Sequence, residues 1–145
     1  MNLIYGYDEV VAEWVAERIP HVGASGFGLC SAIGIATDTA LIGGMVYHDY
    51  QEEFGTIQLS IATTSPMWAR KEIIRDLLAY PFFQLDCFKV WAAVPADNEP
   101  AIKTNIHAGF TKEAVLAHQF GRKRHAVICR MLKTDFIKKY GLSNG

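Results

Sequence analysis

No apolar run in this chain approaches the roughly 18 residues that a membrane-spanning helix needs, so no membrane span is expected. Net charge is also nearly absent. Fourteen Lys and Arg stand against 15 Asp and Glu, leaving a formal charge of -1, which excludes a global attraction to nucleic acid or to an anionic membrane. The basic clusters, Arg122-Lys123-Arg124 and Lys138-Lys139, are short enough to read as solvated surface. Cysteine is sparse: Cys30, Cys87 and Cys129 are odd in number, widely spaced and set in or beside apolar runs. Without a CxxC pair, and with five histidines that show neither HxxxH nor HExxH spacing, no metal site is expected. Buried reduced thiols in a cytoplasmic protein are the reading. The first residues, MNLIYGYDEVV, lack a basic start followed by an apolar stretch, so a signal peptide is not expected. Neither an internal repeat nor a low-complexity linker interrupts the chain.

What is present is apolar residue: 50% of 145 positions, enough for one domain, residues 1–145, with its own core. Residues 2–6 read as a short strand. Asp8 reads as the N-cap of a helix in which Val10, Val11, Trp14, Val15 and Ile19 recur at helical spacing until Pro20. CSAIGIAT and ALIGGMVYHDY read as a hairpin around Thr37-Asp38-Thr39, with Gly43-Gly44 marking a bulge. TIQLSIAT, 56–63, alternates apolar and polar as a half-buried strand does. Ser65 and Pro66 suit the cap and first position of a second helix, with Trp68, Ile73, Ile74, Leu77 and Leu78 on its apolar face. KVWAAV, 89–94, is a nearly continuous apolar strand. Residues 99–108 form a third helix ending at Gly109. KEAVLAHQF and RHAVICRML are two final strands, and the tail from Lys133 is left open between helical and frayed. The order β-α-β-β-β-α-β-α-β-β predicts an α+β domain with a mixed, mostly antiparallel sheet and helices on both faces. Strands 56–63 and 89–94 should run parallel.

The stretch 72–113, EIIRDLLAYPFFQLDCFKVWAAVPADNEPAIKTNIHAGFTKE beginning at Glu72, carries a resemblance. Glu72, Tyr80, Phe82, Val90, Asn98, Ala101, Gly109 and Phe110 fall at the spacings of the GNAT acyltransferases, in particular of the branch that acetylates the N-termini of ribosomal proteins. The match spans about a third of the chain as motif and nearly all of it as element order. It implies the GNAT acyl-CoA N-acyltransferase fold and direct transfer of an acetyl group from acetyl-CoA to a primary amine, with a peptide or protein N-terminus as a candidate acceptor. The pantetheine arm would lie along the backbone at Ser60, Ile61, Ala62 and Thr63 in the manner of an added strand, and a backbone N–H there would polarise the thioester carbonyl. The helix that follows would aim its N-terminus, with Trp68, Ala69, Arg70 and Lys71, at the diphosphate. Asn98 would bond the arm; read from its neighbours alone, it is the N-cap of helix 99–108. Both readings stand. No metal is implied, no nucleic acid or membrane partner is implied, and an oligomer is compatible.

Two departures set a second reading beside the first. The family's phosphate loop carries glycines where this chain has Ser65-Pro66-Met67-Trp68-Ala69-Arg70. Glycine there lets backbone approach the phosphates closely. Where many members place a general-acid Tyr, this chain has Asn105, which does not titrate. No general base declares itself: Gln58 and Ser60 are poor bases, and His48, Asp49, Glu52 and Glu53 are expected at the hairpin end away from the cleft. Neither Ser60 nor Ser65 sits in a nucleophile elbow. The second reading is therefore a catalytically degenerate GNAT-fold binding or structural module, similar to phage-encoded copies of the family that include particle-associated ones.

Overall fold

The computed structural model describes residues 1–141. Among them, seven strands and four α-helices build an α+β fold with a mixed sheet. In chain order these are β1 (Asn2–Ile4), α1 (Asp8–Ala16), β2 (Cys30–Ala36), β3 (Leu41–Gln51), β4 (Thr56–Thr63), α2 (Lys71–Ala79), β5 (Lys89–Pro95), α3 (Glu99–Ala108), β6 (Thr111–Leu116), β7 (Ala126–Leu132) and α4 (Lys133–Tyr140). The chain divides into two compact units, one made of Met1–Tyr50 with Gln58–Leu77, the other of Gln51–Ile57 with the chain from Leu78 onward.

In the first unit the strand order is β1-β2-β3-β4. β2 and β3 are antiparallel, with Ser31 opposite Tyr47 and Ile33 opposite Met45. Their turn closes when the Thr37 N–H donates to the Ala40 carbonyl at 2.9 Å. The bulge falls one residue before the expected Gly43-Gly44: those two glycines pair with Ile35 and Gly34, while Ala36 faces Leu41, so Ile42 is the extra residue. The glycines have a packing reason as well. A Cβ on Gly44 would stand 2.6 Å from Val11 Cγ1 and 2.9 Å from Val15 Cγ2, so only glycine lets α1 lie this close to β3. Val11 and Val15 of α1 meet Ala32 and Val46 there, all buried. Successive residues of β3 point to opposite faces. Val46 therefore packs towards α1, while the Tyr47 hydroxyl donates to the Leu77 carbonyl of α2 at 2.6 Å.

Asp8 does not cap α1. Tyr7 holds the N-cap position with no side-chain bond, and Asp8 Oδ1 instead accepts the Ala32 N–H at 3.0 Å. The carboxylate is used to join the helix to β2. The helix also stops at Ala16, short of the expected Ile19, because Arg18 and Ile19 donate in i→i−3 bonds at 3.0 and 3.3 Å, the tighter winding of a helix end before Pro20.

In the second unit the strand order is β5-β7-β6, antiparallel throughout, with Val90 opposite Met131 and Thr111 opposite Arg130. The tail from Lys133 is helical: Asp135 Oδ2 accepts the Leu132 N–H at 3.0 Å and so starts α4. Phe136 is fully buried among the rings of Phe82, Phe83 and Tyr140, with centroids 5.3, 5.7 and 4.9 Å away. The Tyr140 hydroxyl donates to the Ala108 carbonyl at 2.6 Å, and burial raises its pKa to about 12. The strand expected over 112–120 ends at Leu116. Beyond it, imidazoles take backbone donors that a ladder would have used: His125 Nδ1 accepts the His118 N–H at 2.9 Å, and His118 Nδ1 accepts the Lys123 N–H at 2.7 Å.

Candidate functional site

β4 carries the residues expected to meet an acyl donor. Ile57 and Leu59 are buried, while Ser60, Ile61, Ala62 and Thr63 are half-buried. The strand stays paired to its end, where the Thr64 N–H donates to the Ile42 carbonyl at 2.8 Å. The chain then turns, but not straight into a helix capped by Ser65. Pro66–Trp68 is a separate 3₁₀ turn. The Ala69 N–H donates to the Pro66 carbonyl at 3.3 Å and the Arg70 N–H to the Trp68 carbonyl at 2.8 Å. These short-range bonds break the helical run, so α2 starts at Lys71. The N–H groups of residues 69 and 70 are thereby committed locally. The first-turn donors of α2 are those of Lys71, Glu72 and Ile73. Trp68 is half-buried, whereas Ala69, Arg70 and Lys71 are exposed, so two cations flank the helix start.

The same unit brings together a pair that the sequence did not suggest. His48 Nε2 lies 2.9 Å from Ser60 Oγ, and the Phe27 ring packs on the imidazole at 4.9 Å between centroids. Burial lowers the His48 pKa from its usual value, with the Asp49 carboxylate pulling weakly the other way. His48 also faces Cys30 across the β2–β3 ladder. Burial raises the Cys30 thiol, helped by the Asp8 charge. The signal that could have found the pair is equal spacing: His48 and Ser60 each stand six residues from Phe54, which lies in the 3₁₀ turn between β3 and β4.

In the second unit, Asn98 is the N-cap of α3, its Oδ1 accepting the Ala101 N–H at 3.4 Å. Asp97 is not the cap; it pairs at 3.7 Å with Arg124 at the surface. The cap bond is long. Asn98→Ala should therefore cost about 0.5–1 kcal/mol, the lower part of the range for lost caps, read from the urea midpoint at unchanged slope. Asn105, standing where a general-acid Tyr would be, hydrogen-bonds the Cys129 thiol through its side chain. Asn105 itself is half-buried. The other cysteines are free thiols too, and burial pushes Cys87 up to about 11. Among the described residues no cluster of three or more His, Cys, Asp or Glu is placed to hold a metal, and no helix is long and apolar enough to cross a membrane.

No family model matches the sequence, and no curated protein matches it either. Solved structures do. Mutant forms of the spermidine/spermine N-acetyltransferase SpeG from Vibrio cholerae superpose with a TM-score of 0.69 at 18% identity, over 76% of this chain and 70% of that one. The dodecameric spermidine N-acetyltransferase from the same organism, in an intermediate state, gives 0.68 at 18% identity over 77% and 70%. A chimera of that enzyme with hSSAT gives 0.67 at 18% identity over 74% and 69%. The chain has the GNAT fold. Identity this low speaks for architecture alone, and within a GNAT fold β4 and the start of α2 are the elements on which the expected donor-binding residues Ile61, Thr63, Trp68, Ala69, Arg70 and Lys71 stand.

Proposed function

We propose that this protein is an N-acetyltransferase that moves the acetyl group of acetyl-CoA directly to a primary amine. The observation that carries the reading is the GNAT fold, shared with spermidine N-acetyltransferases, with β4 leading into α2 behind the cations Arg70 and Lys71. In this reading the arm of acetyl-CoA lies along Ser60–Thr63, Ile61 and Thr63 offer backbone groups to it, and the diphosphate sits before α2. There Lys71, Glu72 and Ile73 supply N–H donors and Arg70 and Lys71 supply charge. Asn98 caps α3. The acceptor is a small polyamine or, following the resemblance to the ribosomal branch, the free N-terminus of a peptide or protein. The protein acts in the cytoplasm and needs no metal.

A binding or structural module without catalysis is the second reading. Two observations favour it: the stretch 65–70 has no glycine, and Asn105 is held by Cys129. One titration separates the readings. A ligand at about 100 times its dissociation constant adds roughly 2.7 kcal/mol of stability, which at this chain length raises the unfolding midpoint by roughly 5–11 °C. Acetyl-CoA should produce such a rise, and acetylated spermidine or acetylated peptide should then accumulate. A folded protein whose midpoint does not move at millimolar acetyl-CoA is not an acetyltransferase.

A further inference from the structure

A primary amine at neutral pH is mostly an ammonium with no lone pair to offer, so transfer requires a group that takes its proton. Ser60 stands on β4, next to Ile61, along the strand assigned to the thioester arm. Its Oγ is 2.9 Å from His48 Nε2. The imidazole is half-buried, with the Phe27 ring on one side. We propose that Ser60 and His48 form a proton relay for the acceptor amine, Ser60 meeting the nitrogen and His48 holding the proton. The proposal rests on the acetyltransferase reading above and adds the base that the sequence did not supply.

The step balances. One ammonium proton passes to Ser60 Oγ as the Ser60 proton passes to His48 Nε2. The freed lone pair attacks the thioester carbonyl carbon, the N–C bond forms, and the C–S bond breaks with its electrons leaving on the CoA sulfur. Of the ammonium protons, one stays on the amide, one ends on the CoA thiol, and one leaves for solvent from the imidazolium. His48 suits the role because burial disfavours its charged form. Asp49 on its own strand favours the imidazolium. Cys30 opposite it on β2 is kept as the neutral thiol by burial and by Asp8 of α1. Ser60 is its partner on β4, and Phe27 is apolar.

The sign of the pH dependence follows. The base works only when neutral, so kcat/KM falls with decreasing pH as His48 protonates, below the ordinary histidine range. The experiment measures kcat/KM against pH for wild type, His48→Gln and Ser60→Ala, with acetyl-CoA as donor and either spermidine or a short peptide with a free N-terminus as acceptor. His48→Gln keeps a hydrogen-bonding partner for Ser60 but does not titrate, and Ser60→Ala provides a second test on a smaller change. Both variants should keep the thermal shift with acetyl-CoA, lose roughly 10²–10⁴-fold in kcat, and lose the histidine limb of the profile. A wild-type protein that binds and transfers, with the same acid limb in both variants, overturns the relay and leaves the acetyltransferase reading in place. Absence of a thermal shift, or binding without transfer to either acceptor, overturns the reading and the relay with it.

Discussion

Replacing Phe136 with alanine is expected to remove about 3–5 kcal/mol of stability, the usual cost of emptying a buried phenylalanine site. The ring is fully buried, and three aromatic side chains, Phe82, Phe83 and Tyr140, close around it. Two of those neighbours sit in the π-turn Tyr80–Gln84, whose backbone includes Pro81. Collapse into the vacancy would have to move that turn, so the cavity should persist and the loss should fall high in the range. Tyr140 would also lose a ring contact while its hydroxyl still bonds the Ala108 carbonyl. Against a total of roughly 5–15 kcal/mol for a domain, the unfolding midpoint should drop by roughly 6–20 °C. Urea denaturation should show a lower midpoint at the same slope. Phe136→Leu should recover most of the difference, since it restores apolar volume. A loss below about 1 kcal/mol for the alanine variant would contradict the packing described for α4.

The elements that were legible in the sequence are those with a local cause. β4 matches 56–63 and α3 matches 99–108, because strict alternation marks the first and an Asn cap with a Gly stop marks the second. The order of elements, and with it the GNAT fold, follows from such segments. What was not legible depends on where side-chain oxygens and nitrogens go once distant segments meet. Asp8 looked like a cap and is spent on Ala32 of β2. His118 and His125 looked like strand residues and take backbone donors in a turn. The helix expected to begin at Pro66 starts five residues later, at Lys71, because local bonds at Ala69 and Arg70 interrupt it.

The candidate site divides along the same line. The residues on β4 and before α2 were nameable from spacing to a resembling family. The His48–Ser60 pair was not, because it depends on the path between β3 and β4. Asp49 has a φ of 52° and Gly55 one of 65°, on either side of the 3₁₀ turn Glu52–Phe54. Those left-handed residues decide which side chains come opposite each other, and nothing in the alternation of the two strands reports them. Asn105 shows the converse. Its spacing pointed at the reaction centre, and its side chain bonds the Cys129 thiol instead.

Ala69→Glu is expected to abolish the acetyl-CoA-induced thermal shift while leaving the unliganded protein as stable or slightly more so. Ala69 is exposed and lies two residues before α2. A carboxylate near a helix N-terminus interacts favourably with the unpaired N–H groups there, worth about 0.3–1 kcal/mol, and Arg70 and Lys71 stand beside it. The same carboxylate would occupy the field that the diphosphate needs and would repel its charge. Stability and affinity therefore move in opposite directions, which separates a binding effect from simple damage to the fold. Ala69→Lys reverses the charge. It should lower the unliganded midpoint slightly and keep or enlarge the shift. At acetyl-CoA concentrations that give wild type its rise of roughly 5–11 °C, the Glu variant should show a rise near zero and the Lys variant a rise at least as large as wild type. The difference should shrink at high salt, as expected for charges near the surface. Equal shifts in all three proteins would mean that the diphosphate lies elsewhere and that the start of α2 is not its site.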